Sequence, residues 1–137
     1  MEIPVTNAPR AIHFYRKVFE WNINDEGYEN QVDGIEHTYF FNKGNLRGSF
    51  LLVPEDQFLN MDALCAPGAN QVSKKMRWGV VSTIAAEDMD ETLKKIVDCG
   101  RRIFKEKTLL GMEMGSLAKF VDTEGNIHSL CSLELSD

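Results

Sequence analysis

Apolar residues recur at helical spacing in two segments of the chain. In the first segment, Asn7 can accept hydrogen bonds from the free amides of a first turn, and Pro9 costs that turn no hydrogen bond. Apolar side chains then recur every three or four residues as far as Phe19. The second segment runs from about Met89 to Cys99, with Asp88 placed to cap it. The pattern predicts two amphipathic helices.

Short runs of β-branched and aromatic residues surround each predicted helix. One run precedes the helix and three follow it, with glycine-containing turns between them. The predicted order of elements is therefore βαβββ, and it occurs twice. The predicted strands are Ile3–Val5, Trp21–Asn24, Thr38–Phe41 and Gly48–Val53 in the first half, and Val80–Ile84, Arg102–Leu110, Ser116–Val121 and Ile127–Leu133 in the second.

One offset of 81 positions relates the two halves. It aligns the two helix caps, Asn7 and Asp88, and it also aligns Gly44 with Gly125 in the last turn of each half. A supersecondary unit that repeats at a constant offset indicates a duplicated fold. We therefore expect one α+β domain over residues 1–137, with a first module at 1–53, a linker at 54–76 that includes a short helical turn near Phe58–Leu64, and a second module at 77–137.

Composition restricts the classes of function. Of the 137 residues, 43% are hydrophobic and 26% are charged, which is typical of a folded soluble domain. The net charge of −6 disfavours a nucleic-acid partner, because phosphate binding needs a basic face. Apolar runs of four residues, such as Phe50–Val53, are too short to span a membrane, and we expect no secretory leader before Ile3. With an odd number of cysteines, these features predict a cytoplasmic protein without a membrane partner.

Several motifs resemble the glyoxalase/bleomycin-resistance/extradiol dioxygenase (vicinal oxygen chelate) superfamily. The segments Ile3–Asn7 and Phe14–Trp21 are similar to the opening strand and helix of these proteins. The segment Ala118–Asn126 is similar to their closing hairpin, whose turn typically reads Asp-Pro-Glu-Gly-Asn. The resemblance implies two βαβββ modules whose curled mixed sheets form a cup with the helices outside, and it implies a homodimer.

The resemblance also implies where a metal would bind. Metal-dependent members use four His, Glu or Gln side chains, from the first and last strands of each module. Carried over residue by residue, two of these positions fall on Ser129 and Val81. The offset of 81 moves Ser129 to Gly48 and moves Val81 to a position before Met1. Because glycine and valine offer no ligand atoms, we expect no metal and no other cofactor. A register shift by one residue would bring Arg47, Ser49, Val80, Ser82 and His128 to these positions instead. Of these residues, only His128 is a usual metal ligand. It is two residues from Leu130 and so shares its face of the strand, which favours packing against a helix.

Strand alternation adds further side chains to the predicted cup. Glu2 is either a general base or ligand contact, or simply a solvated carboxylate. Cys131 shares the parity of Ser129 and is either a thiol nucleophile or a small buried residue. Tyr39 and Phe50 suit an apolar ligand, with core packing as the plainer alternative. The expected cup-lining residues are Glu2, Tyr39, Gly48, Phe50, Val81, Ser129 and Cys131.

These features lead to three hypotheses for function. The first is a glyoxalase/bleomycin-resistance-like protein that binds a small organic molecule in the cup without a metal. The second is a divalent-metal-dependent lyase, isomerase or dioxygenase, which requires a ligand upstream of Met1. The third is an interaction or scaffold domain that has kept the fold and lost the site. Whether the chain is an enzyme, and which molecule it binds, stay open at the level of sequence.

Overall fold

The computed structural model describes residues 1–29, 32–67 and 75–133. The chain divides into two units, Met1–Leu59 and Asn60–Asp137. Each unit holds one mixed sheet together with one helix of ten or twelve residues. Residues 68–74 of the predicted linker lie outside the described residues. In the described ranges no helix is long and apolar enough to cross a membrane.

The first unit is built on a five-stranded sheet. Its strand order is β1-β5-β4-β2, and the short strand β3 also pairs with β4. Strand β1 runs parallel to β5, whereas the other pairs are antiparallel. The elements are β1 (Glu2–Val5), α1 (Ala8–Phe19), β2 (Asn22–Ile23), β3 (Tyr28–Glu29), β4 (His37–Lys43), β5 (Leu46–Leu52) and a single 3-10 turn at Glu55–Gln57.

Helix α1 covers one face of this sheet. The Asn7 side chain accepts a hydrogen bond from the backbone N–H of Arg10 at 3.1 Å and so caps the helix. The ring of Tyr15, which is fully buried, lies 5.2 Å from the ring of Phe50 on β5 and 4.7 Å from that of Trp21. The core of the first unit is therefore an aromatic cluster between α1 and the sheet.

The second unit is built on a four-stranded sheet with the order β6-β9-β8-β7. Strand β6 runs parallel to β9, and the other two pairs are antiparallel. Helix α3 contacts β7 and β9, and its residue Ile96 is fully buried. The elements are α2 (Met61–Leu64), β6 (Thr83–Ala85), α3 (Met89–Asp98), β7 (Arg102–Leu109), β8 (Ser116–Val121) and β9 (Ile127–Ser132).

The turn between β8 and β9 is organised by one carboxylate. Oδ1 of Asp122, a residue with no solvent exposure, accepts hydrogen bonds from the backbone N–H groups of Glu124, Gly125 and Asn126 at 2.9–3.0 Å. Its Oδ2 accepts from the side-chain amide of Asn126 at 3.0 Å. Four donors that the sharp turn would otherwise leave unpaired are satisfied in this way.

The predicted α+β architecture with a repeated strand–helix–strands order is confirmed. Two details differ. The two-residue strand Tyr28–Glu29, whose residues are both exposed, was not predicted, because it is too short to show an alternating pattern. The first strand of the second unit is Thr83–Ala85 rather than Val80–Ile84, and Val80 is fully exposed.

Candidate functional site

The two faces of each sheet are different in character. In the first unit, Ser49 on β5 pairs with Glu2 on β1 and with Phe40 on β4, so the three side chains share one face of the sheet. The next row, Ile3, Phe50 and Tyr39, points to the other side. That second row includes Phe50, which packs on Tyr15 of α1. We call the side covered by the helix the helix face, and the other side the opposite face.

The register of the first unit differs from the register predicted by the offset of 81. Glu2 pairs with Ser49 in the first unit, and Thr83 pairs with Ser129 in the second. The counterpart of Ser129 is therefore Ser49 and not Gly48, so the predicted equivalence was wrong by one residue. Glu2 lies on the opposite face, as expected, whereas the pairing places Tyr39, Gly48 and Phe50 on the helix face.

Unequal turns explain this difference. The turn between β4 and β5 has two residues, Gly44 and Asn45, whereas the turn between β8 and β9 runs over five residues, from Asp122 to Asn126. Gly44 is thus the first residue of its turn, and Gly125 is the fourth of a longer one. Two glycines that align in sequence therefore do not hold their strands in the same register.

The second unit presents a polar row on its opposite face. Four residues pair one after another across the four strands: Thr83 on β6, Ser129 on β9, Lys119 on β8 and Lys105 on β7. The alternate row, which includes Ile84, Ala118 and Leu130, consists of buried apolar residues. A row of hydroxyl and ammonium groups across the centre of a sheet is unusual, because central strands rarely bury charge.

Lys119 is the most distinctive member of this row. Only 5% of the residue is exposed to solvent, and Ser129 beside it is 4% exposed. Nζ of Lys119 donates a hydrogen bond of 2.5 Å to Oγ of Ser129. The same Nζ lies 5.1 Å from the ring centre of Trp78, at a distance typical of a cation–π contact. Trp78 itself is 75% exposed, so its indole has a face available to solvent.

The surroundings of Lys119 disfavour its charge. Burial lowers the pKa of the Lys119 ammonium below its usual value, and the positive charge of Lys105 lowers it further. Among the described residues, no carboxylate forms a salt bridge with Lys119. Its only hydrogen-bond partner there is the neutral hydroxyl of Ser129. A buried cation held in this way is a candidate functional group.

Sequence reasoning identified Ser129 and overlooked Lys119. The available signal was a lysine in the middle of the mostly apolar strand Ser116–Val121. Lys119 is two residues from Leu117, so the two side chains lie on the same face of β8. Its pairing with Ser129 depends on the register between β8 and β9, which the sequence pattern leaves undetermined.

The other predicted residues of the second unit lie near this row. Cys131 is half-buried on the opposite face, two residues along β9 from Ser129, and pairs with Ala85 and Leu117. Val81 is half-buried and precedes β6. As a free thiol, Cys131 is a neighbour of the Lys119–Ser129 pair rather than a part of it.

The residues present do not fit a divalent metal site. Within residues 1–29, 32–67 and 75–133, no group of three His, Cys, Asp or Glu side chains comes close enough to hold an ion. After the register correction, the strand positions at this level are Ser49 and Ser129 together with their strand partners Glu2 and Thr83, whereas Val81 precedes β6. They supply one carboxylate and three hydroxyls, which is a poor donor set, and Ser129 already accepts from an ammonium.

His128 lies away from this row. It pairs with Phe120, lies on the helix face and is 5% exposed. Its Nε2 is 3.7 Å from Oδ2 of Asp122, and its ring centre is 5.5 Å from that of Phe120. Both contacts are those of a packed side chain beside the closing turn.

A separate cavity of about 390 Å³ lies beside α1 in the first unit. Tyr39, which was expected in the cup, contributes to this cavity from the helix face. Arg16 in its wall is engaged already, because it donates to the Ile23 carbonyl at 2.6 Å and to Asp25 at 3.4 Å. The cavity is lined by Ala8, Pro9, Ile12, His13, Arg16, Asp25 and Tyr39.

The arrangement of the strands and helices defines a class of fold. The chain has the fold of the glyoxalase/bleomycin-resistance/dioxygenase proteins, and the resemblance seen in the sequence is confirmed at that level. No protein-family model matches the sequence. No curated protein matches it either.

Three solved structures illustrate the likeness. A glyoxalase family protein from Enterococcus faecalis superposes with a TM-score of 0.67 at 13% identity, over 96% of this chain and 94% of that one. A variant of the fosfomycin resistance protein of Listeria monocytogenes, in complex with Mn(II) and 1S,2S-dihydroxypropylphosphonic acid, gives 0.64 at 12% identity, over 98% and 87%. A lactoylglutathione lyase from Agrobacterium tumefaciens gives 0.56 at 15% identity, over 96% and 90%. At these identities the likeness extends to the fold alone.

Proposed function

We propose that this chain is a binding protein for a small organic molecule, and that it binds this molecule without a metal ion at the Lys119–Ser129 pair. The observation that carries the proposal is the 2.5 Å hydrogen bond between two nearly buried polar side chains beneath an exposed indole. The pair lies in the last two strands of the second unit, and Ser129 is a position at which the resemblance implies a metal ligand in metal-dependent members.

The energetic cost of this arrangement supports a functional role. Burying an ammonium beside a second lysine destabilises the fold, since the charge loses hydration and gains a like-charged neighbour. An apolar side chain at position 119 would avoid this cost, as Ala118 and Phe120 do on the other face. Groups held at such a cost are concentrated at functional sites.

The names of structural neighbours are consistent with this proposal. One of them is a fosfomycin resistance protein seen with a small phosphonic acid, and another is a lactoylglutathione lyase. The complex with the phosphonic acid is an example of a small organic acid bound by a protein of this fold, which supports the proposal. Fold alone does not determine function, so the ligand of this site depends on the residues of the site itself.

The test is ligand binding by metal-free protein. Protein treated with chelator, and shown by elemental analysis to contain no divalent ion, is screened by NMR against a set of small organic acids, amides and alcohols. We expect binders to shift the amide signals of Ser129, Lys119 and Trp78, and to raise the melting temperature by mass action. Binding that requires added Mn²⁺ or Zn²⁺, or no binding by any compound, would contradict the proposal.

A metal-dependent lyase, isomerase or dioxygenase is the second candidate. The exposed carboxylate of Glu2 beside Ser49 is the observation that favours it. A stoichiometric divalent ion in protein purified without an affinity-tag metal, lost on substitution Glu2→Gln, would support this candidate over the first.

We also propose that the chain forms a homodimer in the cytoplasm. The homodimer rests on the family resemblance, and the location rests on composition, charge and cysteine content. Sedimentation equilibrium over a hundredfold range of concentration tests the first of these, and imaging of the tagged protein tests the second.

A further inference from the structure

We infer that the molecule bound at the Lys119–Ser129 pair carries a carboxylate, and that this carboxylate is the counter-charge for Lys119 while an attached flat apolar group lies against Trp78. The inference rests on the proposed function and specifies the class of ligand. Three features of the second unit support it: the unbalanced positive charge, the orientation of the Ser129 hydroxyl, and the position of the indole.

Among the described residues of the second unit, no negative charge balances that of Lys119. Two exposed or half-exposed lysines of this unit do have carboxylate partners: Nζ of Lys107 lies 3.2 Å from a carboxylate oxygen of Asp90, and Nζ of Lys95 lies 3.6 Å from one of Glu91. Those pairs involve exposed carboxylates, whereas Lys119 is almost completely buried and has a second cation, Lys105, as its strand partner. Buried charges are normally paired, because an isolated ion is costly to remove from water. An anionic ligand would supply the missing partner.

The hydrogen bond between the two side chains indicates an acceptor ligand. An ammonium has three donor protons and no acceptor, and here one proton is directed to Oγ of Ser129. Because that oxygen accepts from Lys119, the hydroxyl proton of Ser129 is directed away from it and can be donated to a third group. Two donors only 2.5 Å apart suit the two oxygens of one carboxylate.

The indole of Trp78 indicates the rest of the ligand. Its ring lies 5.1 Å from Nζ of Lys119, and three quarters of the residue is exposed. An apolar ring attached to the carboxylate could stack on this face while its oxygens reach the ammonium. Thr83 and Lys105, at the two ends of the polar row, are exposed to solvent.

The experiment compares benzoate with benzamide, its neutral counterpart of nearly the same shape. Binding is followed through the fluorescence of Trp78 in a Trp21→Phe background, since Trp21 is the only other tryptophan. We expect benzoate to bind at least about tenfold more tightly than benzamide, as hydrogen bonds to a charged group are stronger than neutral ones. Lys119→Met should remove this preference, and Ser129→Ala should weaken benzoate binding severalfold.

Two control variants make the result specific. Lys105→Met should weaken benzoate binding less than Lys119→Met, because Lys105 is exposed and solvent screens its charge. Lys94→Met should have no effect, since Lys94 is 79% exposed and pairs with Asp98 on α3. Circular dichroism and melting temperature verify that each variant is folded, and Ser129→Ala keeps the inference testable if Lys119→Met does not fold.

The outcomes separate the inference from the proposed function. Equal binding of benzoate and benzamide, with both weakened by Lys119→Met, would overturn the inference that the ligand carries a carboxylate. It would leave the proposed small-molecule site in place. Benzoate binding that survives Lys119→Met and Ser129→Ala would place the anion elsewhere and overturn the inference. If neither benzoate nor benzamide binds while neutral compounds of the NMR set shift the amide signal of Ser129, the inference fails and the proposed function stands. If no compound shifts the amide signal of Ser129, the inference and the proposed function both fail.

Discussion

The ring of Phe41 lies against Gly48 on the neighbouring strand. Its Cζ is 2.5 Å from the point that a β-carbon of residue 48 would occupy, and the backbone oxygen of Met1 lies against the same point. No L-residue with a side chain fits there without displacing the ring or the first strand. Gly48 thus allows the aromatic cluster under α1 to close over the sheet.

Gly48→Ala is therefore expected to destabilise the protein by about 1–3 kcal/mol, the usual cost of overpacking a core. Urea unfolding measures the loss. Gly79→Ala is the matched control, because a β-carbon at Gly79 would meet no atom within 4 Å, and it should change stability by less than about 0.5 kcal/mol. Equal effects of the two substitutions would show that Phe41 does not pack on Gly48 as described.

The buried ammonium of Lys119 should make stability depend on pH in a defined direction. Its pKa is lower in the folded protein than in the unfolded chain, so between these two values the unfolded chain binds more protons and stability increases with pH. The destabilisation is complete below the folded-state pKa and disappears as the pH approaches the ordinary value of 10.5.

This dependence is measured as the difference in unfolding free energy between wild type and Lys119→Met, from about pH 7 to 10.5. The difference should move in favour of wild type as the pH rises. Lys94→Met, at an exposed position, should show no such trend. A difference that is flat, or that moves against wild type, would mean that Lys119 is solvated in the folded state.

Asp122 is expected to be the most sensitive position of the closing turn. Asp122→Ala leaves three backbone donors of Glu124, Gly125 and Asn126 without their acceptor, and each buried unpaired donor costs about 1–3 kcal/mol. We expect a loss of about 3 kcal/mol or more by urea unfolding, with Asp122→Asn retaining part of the stability. A loss as small as that of the exposed Asp98→Ala would contradict this account of the turn.

The two helix caps, Asn7 and Asp88, should contribute similar amounts to the free energy of unfolding. Asn7 accepts from the N–H of Arg10 at 3.1 Å, and Asp88 accepts from that of Glu91 at 3.0 Å. Replacement of either cap by alanine should cost about 1 kcal/mol. Replacement by serine, which keeps an acceptor oxygen, should restore most of it. Failure of serine to restore stability at either position would show that the side chain acts in some way other than capping.

The caps could be predicted from the sequence because the groups involved lie within three residues of each other. The register of β5 and β9 could not, since it depends on turn length and on packing against distant strands. The pattern therefore predicted the helices and the repeated order correctly, and it assigned Tyr39, Gly48 and Phe50 to the wrong face. Lys119 was overlooked for the same reason, because its partner Ser129 is on another strand and Trp78 is 41 positions away.

Phe40 and Lys119 hold equivalent places in the two sheets. Phe40 is the strand partner of Ser49, and Lys119 is the strand partner of Ser129. One is an exposed aromatic ring and the other a nearly buried ammonium. The two copies of the repeat have thus kept the geometry that presents a side chain at this place while differing in what is presented. In a duplicated scaffold of this kind, one copy can acquire new recognition chemistry by a substitution at a single position, while the hydrophobic contacts that stabilise the other copy stay as they were.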